Sequence, residues 1–204
     1  MACDFQPRDR VRFEEALRRF DEANAGDPNR EEVNGVARPR ELVYSEWLTT
    51  WVVRLTPDAS EELRLAARSQ HLCRWVVPRS SYPMTRGGYL KWREALKQFH
   101  AQKTGEILRS VGYAEPVILR VQALNLKRGF PQDPETRVLE DALCLVFLEH
   151  QLSALAAKAS EEKLVNALRK SWDKMSARGR AYALKLNLPE KEKALLEKAL
   201  SATQ

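Results

Sequence analysis

Histidine, glycine and cysteine are scarce in this chain, and long uncharged apolar runs are missing. Its 204 residues include 3 histidines, 8 glycines and 3 cysteines. Cys3, Cys73 and Cys144 are odd in number, far apart and never arranged as C-x-x-C, which argues against a disulfide framework and a thiolate zinc site. They read as reduced packing residues, Cys144 above all, within LCLVFL. No stretch approaches the uncharged apolar length that a bilayer span demands, and MACDFQPRDRVRF lacks the apolar segment of a secretory signal. A soluble cytoplasmic protein with no membrane association is therefore expected. There is no Walker loop, no G-x-G-x-x-G and no G-x-S-x-G, so the common glycine-framed nucleotide and acyl-transfer sites are not signalled.

With 44% apolar residues, the chain has the size and composition of one large domain, spanning 1–204. Its net charge of +6 is unevenly spread. Residues 64–128 hold thirteen Lys or Arg against Glu94, Glu106 and Glu115, a local +10, so the remainder sums to −4. The middle third is the part suited to an anion, whether a phosphorylated small molecule or a nucleic acid backbone. A merely solvated basic surface has the same composition.

Almost every segment carries helical period, and the expected fold class is all-α. RVRFEEALRRF places Val11, Phe13, Ala16, Leu17 and Phe20 on one stripe. Residues 39–55 form a second helix, with Glu46 the acid in its apolar middle. Thr56 or Ser60 caps a third through SEELRLAARSQHLCRW. TRGGYLKWREALKQFHAQKTGEILRSVGY is a long fourth, closed by Gly112. AEPVILRVQALNL is a fifth. Asp133-Pro134 opens PETRVLEDALCLVFLEHQLSALAAK, the most apolar helix. Ser160 caps SEEKLVNALRKSWDKM, and SARGRAYALKL and PEKEKALLEKAL complete a C-terminal helical extension over 160–201. No alternating strand pattern is read.

His71 and His100 lie late in consecutive helices, on or beside the apolar stripes, while Glu46, Asp141 and Glu149 are acids in the most apolar helices. An ionised carboxylate there is costly unless paired or bound to a cation. Taken singly, each has an ordinary explanation: a buried histidine bonds a carbonyl, and a helix-interior acid finds an arginine. Together they form the order acid, histidine, histidine, acid along successive core helices. His150 is set apart, because Glu149 beside it points from another helical face.

That order resembles the HD-domain superfamily of metal-dependent phosphohydrolases, over residues 39–152. SEWLTTWVVRL is similar to the first core helix, with Glu46 where the superfamily has histidine. LAARSQHLCRW is similar to the His-Asp helix, with His71 kept and Leu72 in place of the aspartate. FHAQKTGEILRSVGY resembles the H-x4-G-x-I-L helix of some members, and LEDALCLVFLE the closing helix. The resemblance implies an HD-like core and a divalent metal (Mn, Fe, Zn or Mg) held by Glu46, His71, His100 and Asp141, with Glu149 in reserve. A metal-bound water would be the reactive group. Arg74, Arg79, Arg86 and Lys127 would hold a phosphate, the arginines through paired donors. Tyr82, Tyr89 and Trp92 would stack on a base or sugar, although aromatics at helical spacing also serve as core. The substrate would be a small phosphorylated metabolite or nucleotide. The alternative is a non-catalytic anion- or RNA-binding module with a degenerate HD-like site, using Lys91, Lys97, Lys127 and Arg128. Equally, the arginines could simply neutralise the embedded acids.

FDEANAGDPN, RWVVPRSSYP, YLKWREALKQFHA, GEILRSVGY and LEDALCLVFLEH together resemble a further family, domain of unknown function 4202, over nearly the whole chain. That resemblance brings no activity with it. DKMSARG, residues 173–179, resembles the KMSKS loop of class I aminoacyl-tRNA synthetases, yet neither a parallel nucleotide-binding sheet nor an H-x-G-H signature accompanies it. It reads as a chance match, with Lys174 at an exposed helix end.

Overall fold

Asp9 begins the ordered helical chain: its carboxylate accepts from the Arg12 amide at 3.0 Å and caps α1, Arg10–Ala25. The computed structural model describes residues 5–201, so Cys3 lies outside the described residues. They divide between Thr136 and Arg137 into two compact units.

In the first unit, α1 is followed by a short antiparallel hairpin, β1 (Arg30–Val33) and β2 (Val36–Pro39), paired from Arg30 opposite Pro39 to Val33 opposite Val36. No strand is expected here from the sequence pattern, so the hairpin corrects that expectation. Asn34 and Gly35 both take positive φ, 53° and 77°, as a two-residue hairpin turn requires, so the Asn-Gly pair in EVNGVARP carried the signal. Four helices follow: α2 (Arg40–Leu55), α3 (Glu61–Ser69), α4 (Arg86–Ser110) and α5 (Glu115–Asn125). Ser60 caps α3 by accepting from the Leu63 amide at 3.1 Å. Gly112, at φ 87°, follows α4 as expected. Helix α3 packs on α2 and α5, α4 on α5, and α1 on α2, α3 and α4. Phe20, Leu48, Leu63, Leu65, Leu96, Leu108, Ile118 and Leu124 are fully buried between them. Arg68 ties α3 to α1 through both carboxylate oxygens of Asp21, at 2.6 and 2.7 Å.

Helix α3 is shorter than its sequence pattern. It stops at Ser69, and Arg74–Val76 forms a separate 3-10 turn, because Cys73 adopts a left-handed φ of 53°. The buried Asn24 side chain holds that bend, accepting from the Cys73 amide at 3.0 Å. His71 therefore sits in a turn rather than on a helix.

The second unit contains most of α6 (Pro134–Val146), then α7 (Leu152–Ala156), α8 (Glu161–Lys174), α9 (Ala177–Ala183) and α10 (Glu190–Ser201). Asp133 accepts from the Thr136 amide at 2.9 Å, the cap expected from Asp-Pro. The long apolar segment expected as one helix is interrupted by a π-helical turn, Phe147–Gln151. Ser160 precedes α8 but makes no capping bond with its side chain. Helices α8 and α10 pack together, with Leu164, Leu168, Leu195 and Leu196 buried.

Apart from the single hairpin, the described residues form an all-α fold. No helix among them is long and apolar enough to cross a membrane.

Candidate functional site

The C-terminal end of α1 builds the first unit's polar centre. Asn24 and Asp27, 0% and 1% exposed, come from the FDEANAGDPN segment. Asp27 accepts from the Glu41 amide at 3.0 Å with one oxygen and from the Asn29 amide at 2.9 Å with the other. Asn24 donates to the Glu41 carbonyl at 3.4 Å while accepting from Cys73. Glu41, in the first turn of α2, and the turn carrying His71 are thus fixed by one short polar segment.

Glu41 is buried, and its carboxylate lies 3.3 Å from Nδ1 of His71 and 3.7 Å from Nε of Arg74. The His71 ring stacks on Tyr44, centroids 4.2 Å apart and planes 14° from parallel, and lies 5.7 Å from the His100 ring. His100 is 2% exposed; its Nδ1 is 2.8 Å from the Leu72 carbonyl. Donation from Nδ1 leaves the lone pair on Nε2, a buried atom with no hydrogen-bond partner. Arg74 lies over the Trp92 ring, 5.0 Å from its centroid.

Burial dominates the ionisation of these groups. It pushes Glu41 up to about 7, against the opposing pull of Arg74 and Arg40. It lowers His100 to about 3, helped by neighbouring His71. His71 is held well below the usual histidine range, first by burial and then by Arg74, Arg93, Lys127 and Arg40. An embedded carboxylate and two neutral imidazoles beside several cations are a combination typical of functional sites.

The other expected site residues lie elsewhere. Glu46 accepts from both guanidinium nitrogens of Arg38, at 2.7 and 2.8 Å, with Arg68 3.9 Å away. The carboxylate that meets His71 is instead Glu41, five residues earlier on the same helix. Arg79 donates to the carbonyls of Tyr82, Pro83 and Thr85 at 2.9, 2.8 and 3.4 Å, and so pins the loop before α4. Arg86 is exposed at the start of α4, Lys127 is half-buried with a positive φ of 58°, and Tyr82 is half-buried. Trp92 is buried and donates from Nε1 to the Val77 carbonyl at 2.9 Å, whereas Tyr89 is 42% exposed.

Asp141 and Glu149 belong to the second unit. Both oxygens of the buried Asp141 are engaged by Ser176, through its amide at 2.8 Å and its hydroxyl at 2.5 Å. Ser176 also caps α9 by accepting from the Gly179 amide at 3.1 Å. Burial raises the Asp141 carboxyl above its usual range while the Ser176 bonds lower it. DKMSARG acquires a structural explanation here. Lys174 reaches the buried Glu140 at 3.1 Å, Met175 is buried, and Gly179 leaves room for Asp141. A Cβ on Gly179 would lie 2.6 Å from an Asp141 oxygen, so Gly179→Ala should lower the second unit's stability by about 1–2 kcal/mol. Denaturant unfolding of the full chain checks this. Glu149 lies 3.1 Å from His150 in the π-helical turn, so the two side chains meet rather than diverge.

Among the described residues, no three His, Cys, Asp or Glu side chains group as a metal site. The class defined by these observations is an all-α protein with a buried carboxylate–imidazole–guanidinium cluster. More specifically, the chain belongs to the family described as Domain of unknown function (DUF4202), whose model matches residues 14–196. No curated protein and no solved structure matches it.

Proposed function

We propose that the first unit binds a small phosphorylated metabolite or nucleotide at the Glu41–His71–Arg74 cluster and acts on it as a phosphohydrolase. The observation that carries this is Arg74: its guanidinium is 3.7 Å from Glu41, the carboxylate that faces His71, and lies over the Trp92 ring. A phosphate there gains charge-assisted hydrogen bonds and meets an unprotonated imidazole. The resemblance to HD-domain phosphohydrolases is supported by His71 and His100, whose rings lie side by side.

The metal implied by that superfamily fits this arrangement poorly. His100 has the form of a metal ligand, with Nδ1 tied to a carbonyl and Nε2 free of hydrogen bonds. Glu46 and Asp141, however, are engaged by Arg38 and Ser176. The cations around His71 would also repel a divalent ion, whereas they attract a phosphate.

Melting of the full chain with orthophosphate, and separately with manganese, tests the proposal. Orthophosphate at a hundredfold over its dissociation constant should stabilise the native protein by about 2.7 kcal/mol and Arg74→Gln far less. No effect on the native protein rejects it. Stabilisation by manganese that His100→Asn removes would favour the metal-dependent form.

RNA binding is favoured by a separate observation. Arg86, Lys91 and Arg93 are exposed along the start of α4 and make no ion pair among the described residues, Arg93 donating to the hydroxyl of exposed Tyr89 at 3.3 Å, while Lys97 is held by Glu94 at 2.5 Å. Salt-dependent RNA retention that survives Arg74→Gln and is lost on replacing Lys91 and Arg93 would support that function instead.

A further inference from the structure

His71, like His150, faces a glutamate and is partly exposed, and its ring is further held against Tyr44 with Arg74 beside the same glutamate. His150 meets Glu149, and His100 is closed off from solvent. His71 keeps 21% of its side-chain surface exposed, its ring plane is set by Tyr44, and its Nδ1 faces Glu41. Glu41 is itself anchored at both ends of its peptide unit by Asp27 and Asn24. With Nδ1 turned toward the Glu41 carboxylate at 3.3 Å, Nε2 is the nitrogen left to meet a ligand. Arg74, one 3-10 turn away, would draw a phosphoryl group toward the same ring.

We propose that His71 is a phosphoryl-accepting nucleophile and that Glu41 is its positioning residue; this rests on reading the cluster as a phosphate-ester site. The Nε2 lone pair forms a bond to phosphorus while the ester P–O bond breaks. The leaving oxygen departs with that electron pair and takes a proton from solvent. Nδ1 stays beside the Glu41 carboxylate, 3.3 Å away, whose negative charge offsets the positive charge gained by the ring. Water then attacks phosphorus, gives up a proton to solvent, and breaks the N–P bond, returning the pair to Nε2 and releasing inorganic phosphate. Arg74, held beside Glu41, brings phosphorus, rather than water alone, to Nε2.

The test incubates the full chain with phosphoramidate as the phosphoryl donor and follows intact mass. The expected result is addition of one phosphoryl group, labile in acid and stable in alkali, mapped to His71. Glu41→Gln should slow it by at least about tenfold with the half-saturating donor concentration unchanged, as loss of an orienting partner does. His150→Gln should leave the rate unaltered. Circular dichroism of each variant checks that it is folded. No modification of His71 while orthophosphate still stabilises the protein overturns the covalent step and leaves the binding site standing. An unchanged rate in Glu41→Gln overturns its positioning role. Absence of any orthophosphate effect on the native protein overturns both proposals.

Discussion

Glu41→Gln should make the protein more stable at about pH 8, by on the order of 2–3 kcal/mol, and leave it nearly unchanged at about pH 4.5. The reason is the carboxyl's surroundings. Burial raises Glu41 from its ordinary 4.5 to about 7, so the folded protein takes up a proton that the unfolded chain does not yet hold. An acid raised in this way costs stability once it ionises. The cost is absent below about 4.5, grows between 4.5 and about 7, and is complete above that. Arg74 and Arg40 reduce it, Asp27 adds to it, and the net remains unfavourable because the side chain is only 10% exposed. Glutamine keeps the shape and removes the charge. Urea unfolding at the two pH values measures the difference. A glutamine variant less stable at about pH 8 would mean that the pairing with Arg74 outweighs burial. A residue that lowers stability while holding a histidine is what a site retained for chemistry looks like.

His100→Asn should remove much of the protein's sensitivity to acid. His100 falls from 6.5 to about 3 on burial, so as pH drops the unfolded chain is protonated first. The stability associated with the neutral ring is complete above about 6.5 and is lost progressively as pH falls toward 3. At about pH 4.5 the loss is roughly 2–3 kcal/mol for this group alone. His71 contributes in the same direction, and Glu41 opposes both by taking up its proton early. Asparagine can present an N–H where Nδ1 meets the Leu72 carbonyl, so the variant keeps that bond and loses the titration. Its unfolding free energy should fall less between about pH 7 and 4.5 than that of the native protein, by that amount. Parallel pH dependences would show that His100 does not resist protonation.

The helical architecture was legible because apolar residues recur every third or fourth position from Ala16 to Leu196, although Val11, expected on the first stripe, is 79% exposed, and caps such as Ser60 and Asp133 are local signals. The candidate site was legible only in part. His71, His100 and Arg74 stood out as polar residues in apolar or loop-breaking sequence. Their carboxylate did not, since Glu41 and Glu46 both lie on α2 among apolar neighbours. Five residues apart, they point about 140° from each other around the helix. Which of them faces the histidines depends on Asn24 and Asp27, which fix the start of α2 from another element. Asp141 misled for a similar reason. Its partner, Ser176, lies 35 residues further along the chain, and no local pattern links the two. The end of α3 also escaped the periodicity, because the left-handed turn at Cys73 is held by a bond from α1.

The most direct measurement is histidine-selective NMR of the full chain, titrated with orthophosphate at neutral pH. With its phosphate site beside Arg74, the His71 ring signals should move and saturate together, those of His150 should stay in place, and Arg74→Gln should abolish the response. His71 signals that remain fixed at every phosphate concentration, or that move no less in Arg74→Gln, would contradict a phosphate site at this cluster.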